Sequence, residues 1–363
     1  MAEKNLDVAA RLRPALRGFE PYDPRFSPVR VNLSANENTH EMPAELRDAT
    51  CAALLATPLN RYPDPMANAL RDAIAERHGT DLSRVIVGNG GDELLFNLLF
   101  AFGGPGRAVV TCPPDFAEYA NFAAMCETPL VSVPRDPEDF SLDADALLSA
   151  ARDAALVILT SPNNPTGGLV DRALVGRLLD ETEALVLVDE AYVEFAGEDA
   201  SVVDLVAGNP RLVVLRTLSK AFALAGLRVG YLVADPAIVG ALGAVRQIYS
   251  VDVLAQAAAL AVVRRRDLVA PVVADIVAER ARLAAGLAGL PGVRVWPSDA
   301  NFVLARVPNA RRMWERLRDE HSILVRDFSS VPGLDDCLRL TVGTREENDA
   351  LLDALAVLTR EEA

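Results

Sequence analysis

Histidine and cysteine are scarce in this chain of 363 residues. The three histidines, His40, His78 and His321, stand apart from one another with no second ligand at metal spacing, so no metal site is expected. The four cysteines, Cys51, Cys112, Cys126 and Cys337, also lack such spacing and read as reduced thiols of a cytoplasmic protein. Long apolar runs are missing. The most apolar helix-like stretch, 94–102, is interrupted by Asn97 and falls short of a bilayer span. The opening MAEKNLDVAARLRP is charged and has no apolar core, which does not fit a secretory signal. Positive charge is in deficit. A formal net charge of −15 argues against nucleic acid or an anionic membrane as the main partner. An anionic substrate would therefore need a local cluster of arginines. Internal repeats and low-complexity tracts are absent. Aromatic residues make up only 6%, yet hydrophobic residues reach 51%, so a sizeable core is available.

The first forty or so residues, rich in Pro and Arg, read as an extended arm. Helical patterns follow at 44–55 and 68–78, with the Pro-rich turn RYPDP (61–65) between them. The chain then alternates. Strand-like runs at 85–87, 108–111, 130–133, 156–160, 185–188, 212–215 and 229–233 are separated by helical patterns that include 91–102, 116–125 and 172–182. Short, fully apolar strands between helices indicate a sheet covered on both faces, an α/β fold with a three-layer large domain and a mostly parallel sheet. Near Pro236 the pattern changes to long Ala-, Leu- and Arg-rich helices up to about residue 290. Three more strands follow at 301–307, 323–326 and 337–342. These read as a smaller α+β domain. The expected division is 1–44 for the arm and part of the small domain, 45–245 for the large domain and 246–363 for the small one.

Unusual residues gather where these strands end, which is where open α/β sheets collect ligands. GNGGDE (88–93) follows a strand and opens a helix, so free backbone N–H groups and the positive end of a helix dipole meet there. A phosphate fits; a plain tight turn, with Asp92 and Glu93 favouring the dipole, fits as well. SPNNPTG (161–167) fixes a turn from which Asn164 can present its amide. VLVDEAY (186–192) ends a buried strand on Asp189, a costly carboxylate unless a positive or hydrogen-bonding group meets it; capping the next helix is the simpler alternative. In LVVLRTLSKAFALAGLRVGYLVA (212–234), Lys220 follows an apolar strand. A lone lysine is ordinarily solvated, but one held dry at a strand end becomes a nucleophile.

Together these pieces assemble one site. The backbone of Gly91, Asp92 and Glu93, with Thr217, Ser219 and Arg228, forms a phosphate cradle. Tyr119, which taken alone reads as a core or surface residue, stacks on a flat ring in this assembly; Asp189 meets a ring nitrogen, and Asn164 and Tyr192 reach a ring oxygen. Lys220 supplies the amine. That set matches pyridoxal phosphate, whose chemistry needs a lysine and an acidic partner for its pyridine nitrogen. Lys220 is then also the group that moves the substrate's Cα proton.

In order and wording, GNGGDE, Tyr119, SPNNPTG, VLVDEAY and RTLSKAFALAGLRVGY resemble the fold-type I pyridoxal-phosphate aminotransferases. VNLSANEN (31–38), RYPDP, ILVRDF (323–328) and CLRLTVGT (337–344) are most similar to the histidinol-phosphate branch of that family. The resemblance covers about 31–348. It implies a homodimer with shared active sites, in which Tyr62 reaches the neighbour's cofactor phosphate. It implies that Arg339 binds the carboxylate of glutamate or the phosphate of the other substrate, with Arg326 assisting, and that Tyr22 and Asn36 line the substrate pocket. Bidentate arginine suits both anions. The implied activity is transfer of an amino group between histidinol phosphate and 2-oxoglutarate in histidine biosynthesis. Alternatives are an aromatic aminotransferase, a relative of threonine-phosphate decarboxylase and, remotely, a cofactor-binding module without turnover. Two departures stand out. Thr39-His40-Glu41-Met42-Pro43 replaces a segment in which a proline usually comes sooner, and Phe116 stands where the family often has Tyr.

Overall fold

A computed structural model describes residues 9–19 and 27–362. Two short 3-10 turns precede strand β1 (Val31–Leu33) and helices α1 (Ala44–Leu55) and α2 (Asn68–His78). Alternation then begins: β2 (Val85–Asn89), α3 (Gly90–Phe102), β3 (Val109–Thr111), α4 (Glu118–Met125), β4 (Leu130–Ser132), α5 (Ala144–Ala151), β5 (Leu156–Thr160), α6 (Arg172–Glu181), β6 (Leu185–Asp189), β7 (Leu212–Thr217) and β8 (Val229–Val233). Helices α7 (Pro236–Val245), α8 (Val253–Val263) and α9 (Ala270–Ala288) follow. The chain finishes with β9 (Arg294–Val295), β10 (Phe302–Arg306), α10 (Ala310–His321), β11 (Ile323–Asp327), β12 (Cys337–Thr341) and α11 (Arg345–Glu362).

The larger sheet has seven strands in the order β2-β8-β7-β6-β5-β3-β4. All run parallel except β8, which is antiparallel to both β2 and β7. The strand period of two sends alternate residues to opposite faces. Val157 and Leu159 of β5 join one apolar cluster, with Leu174, Leu178 and Ala259 of the covering helices. Leu156 and Ile158 join another, with Leu94, Leu98 and Leu242. Both faces are dry, which is why β5 and β7 are apolar nearly throughout and why their patterns read as continuous runs. Aspartates start several helices: Asp143, Asp171, Asp235 and Asp252 each accept backbone N–H bonds from the first turn of α5, α6, α7 and α8. Such a cap contributes about 1 kcal/mol.

The smaller sheet runs β1-β11-β12-β10-β9. Its first strand comes from the expected arm: β1 pairs parallel with β11, Asn32 opposite Leu324. Helix α8 packs against α1 and α2 rather than against the small sheet. The sequence pattern had not marked α5 or the two-residue β9. Both are short, and β9 is held by its ladder to β10. Among the described residues no helix is long and apolar enough to cross a membrane.

Candidate active site

The parallel register sets Thr160, Asp189 and Leu215 side by side at the ends of β5, β6 and β7. Helix α3 opens beside them. Its seat is tight: a Cβ on Gly230 of β8 would lie 2.6 Å from the backbone nitrogen of Gly91. Gly90, at φ +77°, leaves room for Arg228, whose Nη2 a Cβ there would meet at 2.7 Å. These ends enclose a cavity of about 160 Å³ lined by Gly91, Asp92, Phe116, Asn164, Asp189, Tyr192, Thr217, Ser219, Lys220 and Arg228, among others.

Asp189 is buried at the cavity floor. Its Oδ2 accepts from the Tyr119 hydroxyl at 2.8 Å and its Oδ1 from the Ala191 N–H at 3.0 Å. Loss of water pushes its carboxyl up to about 6, against the lowering effect of those two donors. Tyr119 also lies 2.8 Å from Thr160 Oγ1, and burial, then the Asp189 charge, push its phenol well above the usual range.

Here the structure corrects an expectation. The Tyr119 ring does not face the cavity to stack on a ligand. It is 1% exposed and packed in the helix–sheet core, with its hydroxyl spent on Asp189. Phe116 lines the cavity instead, set edge-on to Tyr119 with ring centres 5.6 Å apart. The reason lies in α4, which begins only at Glu118. Phe116 therefore stays on the loop at the strand end, while Tyr119 turns inward on the first helical turn. The sequence signal was available in Phe116 itself, an aromatic residue where the resembled family often carries Tyr.

Lys220 lies on the β7–β8 connection. That loop is closed by Leu218 N–H to Val229 O at 2.9 Å and Leu224 N–H to Leu218 O at 3.1 Å. The Lys220 ammonium donates to Ala35 O at 2.9 Å and sits 5.8 Å from the centre of the Tyr192 ring. Crowding by protein, then the Arg339 charge, lowers its pKa to about 8, with Glu37 opposing. Neutral amine is thus accessible near physiological pH.

Other expected residues fall into two groups. Thr217 and Ser219 exchange a 3.0 Å hydroxyl contact at the wall, and Arg228 Nη2 donates to Asp92 Oδ2 at 2.9 Å across the mouth. Asn164 Oδ1 accepts from Arg339 Nη1 at 2.6 Å, while Arg339 Nη2 donates to Ser34 O at 2.6 Å. The Glu93 carboxylate does not line the cavity but turns back to the Asn89 N–H and caps α3, while its backbone N–H stays in the first turn of that helix, where the cradle was expected. Asn36 is not a lining residue either. It is 1% exposed, at φ 54°, and its Nδ2 donates to the Tyr192 hydroxyl at 3.1 Å. Its backbone is tied to Thr341 and Asn301 of the small sheet, so it joins the two sheets and aims Tyr192. Arg326 stands directly opposite Arg339 on the β11–β12 ladder, outside the cavity wall. Tyr62 is 81% exposed, away from this cavity, and stacks on Tyr249 at 4.7 Å. Tyr22 lies outside the described residues.

Residues 28–355 match the family model described as aminotransferase class I and II. A histidinol-phosphate aminotransferase of Roseiflexus castenholzii is 42% identical over 369 residues, covering 96% of this chain and 98% of that protein. The crystal structure of histidinol-phosphate aminotransferase from Sinorhizobium meliloti in complex with pyridoxal-5'-phosphate aligns with a TM-score of 0.89 at 28% identity, over 98% of this chain and 99% of that one. L-threonine-O-3-phosphate decarboxylase from Porphyromonas gingivalis aligns with a TM-score of 0.80 at 27% identity, over 91% and 99% of the two chains.

Proposed function

The chain belongs to the class I and II aminotransferases, and within that family we propose that it interconverts histidinol phosphate and imidazole-acetol phosphate, with glutamate and 2-oxoglutarate as the second pair, in histidine biosynthesis in the cytoplasm. Pyridoxal phosphate is its cofactor. The residues present fit that group. Asp189 is a buried carboxylate whose hydrogen-bond partners among the described residues are a hydroxyl and an N–H, with no cation, which suits a protonated ring nitrogen. The free N–H groups of the first turn of α3, with Ser219, Thr217 and Arg228, suit a phosphate. When bound, the cofactor supplies a protonated, electron-accepting ring joined to the carbon that carries the substrate's amino group.

In this reading the protein's residues divide the work. Asp189 holds the proton on the ring nitrogen, because a carboxylate in a dry site gains most from a cationic partner. Tyr192 and Asn164 orient the ring's oxygen, and Phe116 covers one face of the ring. Lys220, as free amine, takes the proton from the substrate's Cα and would pass it to the cofactor carbon bonded to the amino nitrogen, a task suited to its lowered pKa of about 8. Arg339, anchored on Asn164 and Ser34 O, meets the carboxylate of glutamate or the phosphate of the other substrate, with Arg326 beside it. The observation that carries the reading is the meeting of Asp189, Lys220 and Asn164 around one cavity, with Arg339 bonded to Asn164 from outside its lining. It supplies the local positive charge that a chain of net −15 needs for anionic substrates.

Exposed Leu59, Tyr62, Ile248 and Tyr249 lie on two loops that touch through the Tyr62–Tyr249 stack. They support a homodimer in which Tyr62 reaches the neighbour's cofactor phosphate. Sedimentation of the purified protein tests this, and a monomer at micromolar concentration overturns it. Substrate choice is tested by mixing the cofactor-loaded enzyme separately with histidinol phosphate, phenylalanine and threonine phosphate and following the cofactor's visible absorbance. The fastest change is expected with histidinol phosphate. A slow change there beside a fast one with phenylalanine, or carbon dioxide release from threonine phosphate, overturns the assignment.

A further inference from the structure

A second cavity, of about 600 Å³, lies behind the catalytic one. Its inner walls continue two catalytic segments: Val193 and Glu194 follow Tyr192, and Ala221 and Phe222 follow Lys220. Its outer wall is the α8–α9 junction, with Arg264 and Arg266 at the rim and Val269 and Val273 below. The volume falls in the range of small-molecule sites, which pair an apolar floor with a few polar groups.

The charges are unevenly used. Arg216 is consumed by buried partners: Nε donates to Glu190 Oε2 at 2.8 Å and Nη1 to Glu194 Oε1 at 3.1 Å. Arg77 Nη2 donates to the same Glu194 oxygen at 3.3 Å, and its guanidinium lies 5.0 Å from the centre of the Phe222 ring. The Arg77 side chain is only 8% exposed, yet its Nη1 has no hydrogen-bond partner among the described residues. A buried donor left so is costly, and an acceptor brought into the cavity would recover that cost. Arg264 and Arg266 are exposed and form no ion pair among the described residues, although Asp267 lies near them on the rim. The neighbouring His78 registers this positive corner: burial, then Arg216, Arg77 and Arg266, lower its pKa to about 3.

We propose that this cavity is a second ligand site, taking a small anion with an apolar body, a carboxylate or a phosphate monoester. Its charge is met by Arg264 and Arg266, with Arg77 behind them, and its body lies on Phe222 and Val273. Because the inner walls are the chain segments leaving Tyr192 and Lys220, occupancy is felt in the catalytic cavity without competing for it. The site is separate from the catalytic assignment and stands or falls apart from it.

Phenyl phosphate and benzoate serve as probes, titrated calorimetrically into the cofactor-loaded enzyme with the catalytic site saturated by 2-oxoglutarate. About one equivalent per chain is expected to bind under saturation, and Arg264→Ala/Arg266→Ala is expected to weaken it roughly tenfold or more. Both substitutions are on exposed side chains, so folding is retained. A separate Val273→Trp variant, which fills the cavity, is expected to abolish the same binding event. Tighter binding of phenyl phosphate assigns the site to phosphate esters, and tighter binding of benzoate to carboxylates. No heat once 2-oxoglutarate is present, or equal affinity in the arginine variant, overturns the proposal.

Discussion

The hydroxyl of Tyr119 donates to Asp189 Oδ2 at 2.8 Å, from a ring that the α4 turn has drawn out of the cavity. This bond makes Tyr119 a positioning residue, and its effect is on the charge of Asp189. Tyr119→Phe removes a donor that favours the carboxylate, so the Asp189 pKa, about 6, should rise further in the cofactor-free protein. Infrared titration of the carboxylate measures it, and an unchanged midpoint would refute the role. Cofactor affinity should fall at the same time, while substrate KM changes less than kcat.

The same carboxyl links stability to pH. Its folded pKa is raised from 3.8 to about 6, so between those values the native state binds more protons than the unfolded chain. Stability of the cofactor-free protein should therefore fall as pH rises through that window, by on the order of 2–3 kcal/mol from this group. Bound cofactor, presenting a cation to Asp189, should remove the slope. Urea denaturation at pH 4.5 and 6.5, with and without cofactor and compared with Asp189→Asn, separates this group from the other carboxylates.

Lys220 and Lys4 are the only lysines in the chain. Acetylation of the cofactor-free protein, followed by peptide mass spectrometry, should show Lys220 reacting with a midpoint near its pKa of about 8. A short unstructured lysine peptide acetylated alongside provides the ordinary reference at about 10.4. Lys220→Ala should abolish turnover. Full activity in that variant would sink the assigned role.

Gly230→Ala places a methyl 2.6 Å from Gly91 N and 2.7 Å from the Gly90 carbonyl carbon, both backbone atoms that cannot swing aside. Helix α3 must shift, and the N–H groups of its first turn move with it. A stability loss of about 1–3 kcal/mol is expected, together with cofactor affinity weakened by roughly tenfold or more. Thermal unfolding and cofactor titration read the two effects. An unaltered cofactor affinity would show that the first turn of α3 is not the phosphate seat.

Arg339→Lys keeps the charge but loses the fork that serves Asn164 and Ser34 O together. KM for the anionic substrates should rise roughly 10- to 100-fold with a smaller loss in kcat. Steady-state kinetics with both half-reaction substrates decide it; a fall in kcat at constant KM would place Arg339 elsewhere in the reaction.

The apolar runs at 156–160, 185–188 and 212–215 were readable as buried strands because both faces of the sheet are dry. The chain therefore needs no polar alternation there. Lys220, Asp189 and Asn164 were readable for a related reason: polar residues closing such runs have to meet something. Asn36 was not. Its neighbours Tyr192, Asn301 and Thr341 lie 156, 265 and 305 residues away in the chain, and no local pattern distinguishes a pocket-lining asparagine from a buried tie.

Local chemistry alone thus determined the alternating architecture, the turns and helix starts at strand ends and the residue types of one cofactor site, because periodicity, caps and turn residues act over a few positions. The fold decided which member of a near pair faces the cavity, Phe116 rather than Tyr119. It drew β1 from the arm into the smaller sheet, turned Glu93 into a cap and set a second, arginine-rimmed cavity against the catalytic loops. Those outcomes depend on burial and on hydrogen-bond partners from distant segments, and a side chain's partner is chosen only when the segments meet.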